Sequence, residues 1–469
     1  MSPRPAPRGG GPKRGGRPGA AGRPRSRRAP IGPRELALQV LAAAESRRAY
    51  ADRLLESRLR DAALAPRDAA LATTLVLGTL RHRALLDHHL AAFLGPRWEG
   101  LPLWIRQTLR LGALQMLVLT RIPAPAAVSE SVTLAKKYGH PGTAGLANAV
   151  LRRLAGGERA PLPEDDPIAR LAVLRSHPRW IVERWVARYG AEEADRLLAA
   201  DNEEPRVTVR PSALRIDAAD LARALAEEGI AARPSPNGGP TLVLDAGYVA
   251  ARSRLFRDGL LSLQDEAEAS VAALLGLRPG DRAADLCAAP GGKASQLVEA
   301  VAPGGAVVAM ERHESRARAL RENLLERLRL PRVLVVAGDA RRPPLRGPFD
   351  GVLVDAPCSG LGVLRRRADA RWRKEPATID EMVALQAPIL DAAAGLVRPG
   401  GTLVYSVCSL EPEETDEIVQ SFLSRHGGFA LDDARPFLPE AFRGEDGRLR
   451  ALPHRQGTDG VFAARLVRR

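Results

Sequence analysis

The sequence predicts a multidomain protein: an all-α bundle first, a small α+β linker subdomain next, and a C-terminal Rossmann-like α/β domain last. Three observations carry that prediction. Apolar residues recur at helical spacing from Pro33 to about Ala155, with few aromatics and no β-branched runs. From Arg282 to Leu466, short apolar runs alternate with helical stretches, the mark of repeated β-α-β units and a mostly parallel sheet. Each of the three cysteines lies in a segment that follows or ends one of those apolar runs. The boundaries fall at 1–30 (a basic tail), 31–157 (the bundle), 165–250 (the α+β unit) and 255–469 (the α/β domain).

Taken in order, residues 1–30 hold Pro, Gly and Arg with almost nothing to bury, so disorder is expected. Leu36, Val40 and Leu41 then open a helix, and Leu54, Leu55 and Leu59 a second. Further helices are expected over 70–80, 85–94, 109–119, 128–138 and 144–154, with Pro123 and Pro125 breaking the chain before Val128. Gly156 to Asp166 is a polar linker containing Pro161 and Pro163. Amphipathic helices carrying Trp185 and Leu197-Leu198 follow, and Pro205 to Arg210 alternates like a strand. The spans 214–232 and 241–244 complete the α+β unit.

A helix over 264–276 ends at Gly276, and Pro279-Gly280-Asp281 turns the chain into the sheet domain. Strands are expected at 282–286, 306–310, 333–336, 349–354, 401–406 and 461–466. Helices are expected at 293–301, 315–328, 379–397 and 413–424. Ligands of such sheets bind at the carboxyl ends of the strands.

Composition narrows the function. The 469 residues carry a formal net charge of +15, and nine basic residues with no acid lie within 1–30. Subtracting those nine leaves +6 for the body, which is still basic. A basic body with a basic arm suggests a polyanionic partner, most simply nucleic acid, the tail being either an RNA-touching arm or an idle solubilising one. No apolar run reaches the roughly 18 residues a membrane span needs, and the N-terminus lacks the apolar core of a secretory signal. Three distant cysteines do not form a disulfide framework, so a cytoplasmic protein with reduced thiols and no membrane partner is expected.

The loop Cys287-Ala288-Ala289-Pro290-Gly291-Gly292-Lys293 has small residues where a backbone must approach a ligand, and a helix follows. It lacks the glycine spacing of a dinucleotide site, and Ala294 after Lys293 rules out a phosphate loop. Glu311 ends the second strand, where an acid accepts both ribose hydroxyls of a nucleoside. Asp339, after the third strand, is suited to an adenine amino edge. Together these point to S-adenosylmethionine.

The cysteines point to pyrimidine chemistry. A thiolate adding to C6 makes C5 nucleophilic enough to take a methyl group, and removal of the C5 proton then frees the enzyme. That reaction needs a nucleophilic cysteine, a carboxylate near the N3 edge and a base. Cys358 and Cys408 end adjacent strands, Asp355 lies three residues before Cys358, and Lys293 is suited to binding the base or holding a thiolate. Cys287 is expected to pack in the cofactor loop. No Cys-x-x-Cys is present and no histidine stands in ligand spacing with a cysteine, so no metal is expected.

Two resemblances add to this. Arg34 to Leu41, Leu109 to Gln115, Ala127 to Val132 and Asn148 to Arg152 resemble the NusB family, an RNA-binding helical fold. Asp285 to Lys293, Asp355 to Gly360 and Ser406 to Ser409 look like three motifs of the RNA cytosine-5 methyltransferases, and with the NusB-like front end they are similar to members acting on 16S ribosomal RNA. The resemblance covers the chain from about 31 to 469. It implies that Cys408 is the nucleophile and Cys358 the cysteine that helps release product, with Asp355 and Lys293 beside them. It also implies that 287–293, Glu311, Asp339 and Asp355 contact S-adenosylmethionine, in a monomer. Related DNA enzymes use the Pro-Cys cysteine as nucleophile, which makes Cys358 the alternative. Val407 stands where the family usually has Thr, Glu311 where Asp is commoner, and Val209-Arg210-Pro211 where an Arg-Val-Asn is often found, which leaves Arg210 a weak candidate for RNA contact. Other readings are a tRNA enzyme of the same chemistry, or a non-catalytic RNA-binding factor on the same fold.

Overall fold

The apolar periodicity at the front of the chain produces seven helices: α1 (Pro33–Arg47), α2 (Ala51–Ala62), α3 (Pro66–Arg81), α4 (Arg83–Leu94), α5 (Leu103–Leu117), α6 (Ala124–Tyr138) and α7 (Pro141–Ala155). The computed structural model describes residues 31–469 except Arg48, Ala63, Thr120, Ala246 and Gly247. The tail expected to be disordered, 1–30, lies outside the described residues. Helix α5 is central, with buried residues all round from Ile105 to Gln115. Helix α6 begins at Ala124, four residues before the expected start, because Pro125 sits in the first turn, where its missing N–H costs nothing.

Three short helices, α8 (Pro167–Leu174), α9 (Arg179–Tyr189) and α10 (Ala191–Ala200), lead into a four-stranded antiparallel sheet. Its strands are β1 (Val207–Pro211), β2 (Ala232–Pro234), β3 (Leu242–Leu244) and β4 (Leu261–Leu263), in the order β2-β3-β1-β4. Helix α11 (Ala218–Glu227) packs Leu221 and Leu225 on this sheet, and α12 (Arg254–Arg257) precedes β4. Arg210 is not free to meet RNA. Its guanidinium is buried, bonding Ser295 Oγ at 2.6 Å and Gln264 Oε1 at 3.0 Å and pairing with Glu299. It fastens the small sheet to the C-terminal domain, in keeping with the weak case for an RNA contact at this position.

The last domain begins with α13 (Glu266–Val271), followed by β5 (Arg282–Asp285), α14 (Gly292–Val301), β6 (Ala306–Glu311), α15 (Glu314–Arg321), β7 (Val333–Ala337), β8 (Phe349–Asp355), α16 (Ala377–Ala394), β9 (Val397–Val407) and α17 (Asp416–Arg425). The chain ends with β10 (Phe429–Asp432), β11 (Leu449–Ala451), α18 (Pro453–Gln456) and β12 (Val461–Arg468). The strand order is β10-β12-β9-β8-β5-β6-β7, with β11 also on β12. Pairs from β7 to β9 are parallel, and β12 runs antiparallel to β9. Strand order reverses between β5 and β8, so the ligand crevice is expected beyond Asp285 and Asp355. Two corrections concern boundaries. Val397 opens β9 rather than closing α16, because it pairs with Phe349 of β8, and Arg398 before Pro399 cannot continue a helix. The helix from Glu314 widens into a π turn over Glu322–Arg327.

The segment after Cys358 joins the units. Trp372 Nε1 donates to Leu80 O at 2.7 Å, and Asp369 accepts the Ala51 amide at 3.1 Å. Arg371 is fully buried and donates to Ser176 O, Asn202 Oδ1 and Asp201 O. Arg371→Leu would strand these acceptors and is expected to cost about 3 kcal/mol, seen as a lower melting temperature. An unchanged melting curve would show that the junction contributes nothing to stability.

Candidate active site

Strand β5 delivers Asp285 to the crevice, and the next residues turn sharply before α14. At Gly291 the backbone has φ +109°, and a Cβ there would lie 2.9 Å from Leu320 Cδ1, so only glycine fits. The loop is braced from outside: Asn323 Nδ2 donates to Pro290 O at 2.8 Å and the Ala288 amide to Met310 O at 2.8 Å. Cys287 packs against the apolar core beneath, and burial pushes its thiol well above the ordinary range. That agrees with a packing role for it.

Asp285 is buried. One carboxylate oxygen accepts the Cys287 amide at 3.2 Å, while Oδ2 has no partner. Burial pushes this carboxyl well above its usual range, and the nearby Asp355 charge adds to the effect. Glu311, at the end of β6, is also buried; it accepts the His313 amide at 3.0 Å and lies 3.3 Å from Arg316. Asp339 stands at the rim with its carboxylate on Arg341 at 2.6 Å, which holds it well below the usual carboxylate range. An unpartnered acid oxygen, a second buried acid on the next strand of the same edge and a loop with no room for a side chain fit a ligand carrying both an amino acid and a ribose. Gly291→Ala is expected to weaken S-adenosylmethionine binding by roughly tenfold, read by calorimetry, because the left-handed backbone disfavours a Cβ by about 1–2 kcal/mol. Wild-type affinity in that variant would remove the loop from the site.

Strand β8 ends at Asp355 and β9 at Val407, in register as parallel neighbours. That register brings the Cys358 and Cys408 sulfurs to 3.2 Å, both as free thiols. The hydrogen bond with Cys358 is the main reason the Cys408 thiol is held well above its ordinary range; burial and the Asp355 charge act the same way, and Lys293 opposes them. Asp355 is fixed from both sides, by Ser406 Oγ at 2.7 Å and by Lys293 Nζ at 2.8 Å. Lys293 also pairs with Glu268 from α13.

A further residue was not legible in the sequence. Glu414, fully buried, accepts the Ser359 amide at 2.7 Å, the Ser359 hydroxyl at 2.5 Å, the Ser409 hydroxyl and Gln386 Nε2 at 3.0 Å. It therefore staples together the residues that follow each of the two cysteines. The only sequence signal was a serine after each cysteine. Behind Cys408, the Gly362 amide donates to its carbonyl at 3.0 Å and the Gly460 amide to Gly362 O at 2.7 Å. A Cβ at Gly362 would stand 2.1 Å from Gly460 O, so three backbones cross there with no space for a side chain.

Asp285, most of the 287–293 loop, Glu311, Asp339, Asp355, Cys358 and Cys408 line one cleft of about 910 Å³. That is the upper end of small-molecule sites and leaves room for a nucleoside beside a cofactor.

A model of the 16S rRNA methyltransferase RsmB/F family matches residues 272–467, one of the NusB family matches 32–156, and one of an RsmF/B-like ferredoxin-like domain matches 177–250. A probable ribosomal RNA small subunit methyltransferase B of Bacillus subtilis is 36% identical over 439 residues, covering 92% of this chain and 97% of that protein. The chain belongs to the RsmB/F family of 16S rRNA methyltransferases. The ribosomal RNA small subunit methyltransferase B of Serratia proteamaculans is 34% identical over 411 residues, covering 86% of this chain and 92% of that one. The crystal structure of a methyltransferase homologue from Pyrococcus horikoshii is 26% identical, with a TM-score of 0.56, and covers 65% of this chain and 100% of that one. As an RsmB/F member, the chain is an S-adenosylmethionine-dependent RNA methyltransferase, with a NusB helical domain, a ferredoxin-like domain and a mixed-sheet catalytic domain. Among the described residues, no helix is long and apolar enough to cross a membrane.

Proposed function

We propose that this chain methylates C5 of a cytosine in 16S ribosomal RNA through a covalent adduct between Cys408 and C6 of the base. The observation that carries this reading is the pair of free thiols 3.2 Å apart in the cleft, beside the fixed Asp355–Lys293 pair. Bound S-adenosylmethionine supplies an electrophilic methyl group on a sulfonium. Cys408 loses its proton and its sulfur bonds to C6. The C5–C6 π electrons become available at C5, which bonds to the methyl carbon as the methyl–sulfonium bond breaks, its electron pair staying on sulfur and S-adenosylhomocysteine departing. A base then takes the C5 proton, the electron pair of that C–H bond restores C5=C6, and the C6–S bond breaks to return Cys408 as thiolate. Cys358, in contact with the departing sulfur, serves this release step. Asp355 and Lys293 meet the N3 edge of the ring. Asp285 and Glu311 hold the cofactor, with Asp339 at its adenine end. All these groups come from one chain and the scheme calls for no metal, so a metal-free monomer suffices. Three free thiols suit the reducing cytoplasm.

Bisulfite sequencing of 16S ribosomal RNA from a strain lacking the chain tests the reading. One cytosine is expected to lose its protection from conversion and to regain it when purified protein and S-adenosylmethionine are added. If every protected cytosine survives the deletion, the 16S assignment fails.

A further inference from the structure

Aromatic residues make up only 4% of this chain, and most of those described are buried or half-buried against cores. One is not. Tyr50, just before α2, is 39% exposed and is the only aromatic among the exposed large apolar residues that the structure describes. It belongs to the helical RNA-binding domain, yet it lines the same cleft as Cys408, Cys358 and Lys293. The first domain thus reaches into the wall of the catalytic site.

Its surroundings are those of a nucleic-acid contact. The Arg373 guanidinium lies 4.2 Å from the centre of the tyrosine ring, and that of Arg53 lies 5.5 Å away. Arg367 and Lys374 line the same cleft. Among the described residues neither pairs with a carboxylate, whereas Arg366 beside them is held by Asp265 and Asp459. The position is also fixed. The buried Asp369 carboxylate accepts the Ala51 amide at 3.1 Å, tying the residue after Tyr50 to the catalytic domain's own loop. Flat aromatic and guanidinium surfaces flanked by free cations are what an unpaired nucleobase and its phosphates require. An exposed tyrosine with a merely structural role would have no need of unpaired cations beside it.

We propose that Tyr50 and Arg373 form a stacking platform for a nucleotide flanking the target cytosine, with Arg367 and Lys374 neutralising the adjoining phosphates. This rests on the RNA methyltransferase activity proposed above and adds a substrate-contact site that spans two domains. The platform binds unpaired RNA, so it acts on substrate affinity and leaves the cofactor and the chemical step alone.

The test is steady-state kinetics on unmethylated 16S ribosomal RNA with the full chain. Tyr50→Ala is expected to raise KM for RNA roughly tenfold, with kcat and the KM for S-adenosylmethionine unchanged, and Tyr50→Phe to restore the wild-type value. Arg373→Gln supplies a second reading should Tyr50→Ala not fold. It is expected to raise KM for RNA likewise, while Lys374→Gln, at a phosphate contact, is expected to lower the slope of log KM against log salt by about one. A wild-type KM in both Tyr50→Ala and Arg373→Gln, or a Tyr50→Ala defect that phenylalanine does not repair, overturns the platform. If the wild-type protein itself leaves 16S RNA unmethylated, the failure lies with the underlying activity instead.

Discussion

Cys408→Ala is expected to abolish methyl transfer, with a loss on the order of 10⁴-fold or more, because the pyrimidine then has no route to a nucleophilic C5. Cys358→Ala is expected to behave differently. Cys408 still attacks, but release is impaired, so a covalent RNA–protein complex accumulates and is visible on a denaturing gel. RNA containing 5-azacytidine makes the comparison sharper, since it traps whichever thiol has attacked. An adduct that survives Cys408→Ala and vanishes in Cys358→Ala would reverse the two roles. The thiol's ionisation gives an independent check. Hydrogen bonding to Cys358, burial and the Asp355 charge all hold Cys408 in its neutral form. Single-turnover adduct formation should therefore climb about tenfold per pH unit until the raised pKa is reached. The sign for stability follows from the same shift. A thiol whose folded-state pKa is raised stabilises the fold below the unfolded pKa, and that contribution is lost as pH rises through the folded value. Cys358→Ala removes the leading cause, so its adduct-formation profile should move to lower pH. A flat profile in the wild type would show that deprotonation of Cys408 is not part of the rate.

The second large effect is expected at Glu414. Glu414→Ala leaves the Ser359 amide, two hydroxyls and Gln386 without their common acceptor. Hydrogen bonds to a charged group contribute about 1.5–3 kcal/mol each, so a loss of roughly 3 kcal/mol in stability is expected even after local rearrangement. Activity should fall further than folding explains, because the two cysteine loops lose their shared clamp. A kcat reduced by about 10² with unchanged S-adenosylmethionine affinity is the expected pattern, since a misplacement near 1 Å can have that effect. Glu414→Gln keeps the volume and one acceptor and should lie between. A Glu414→Ala protein with wild-type kcat would show that the sulfur spacing is set elsewhere.

What the sequence disclosed and what it hid follow one physical division. Helical periodicity from Leu36 to Leu154 and alternation of strand and helix from Ala283 to Leu466 are local signals, and both domains follow from them. The cysteines were legible because each sits beside a strand end, so topology alone brought Cys358 and Cys408 together. The strands β10 and β11 went unrecognised because Phe429–Asp432 and Leu449–Ala451 are short and become strands only through β12. Glu414, the Glu268 partner of Lys293, and the buried guanidiniums of Arg210 and Arg371 were hidden for a related reason. A charged residue in a sequence reads as solvated, and only the folded chain shows which are enclosed and by whom. Arg210 shows the danger most clearly: a basic residue in an RNA enzyme that faces inward and fastens two domains.

The crossing of three backbones behind Cys408 bears on the RNA itself. With its carbonyl held by the Gly362 amide, and Gly362 pressed on Gly460, the Cys408 backbone is fixed, so under the mechanism proposed above it does not swing out toward a base stacked in a helix. The travelling is left to the substrate. The proposed cytosine target would have to be turned out of its stack, and that rearrangement carries an energetic penalty of a few kcal/mol in paired RNA and much less in a loop or mismatch. A fixed sulfur thereby selects by how easily a nucleotide leaves its neighbours, a preference exercised before any base edge is read.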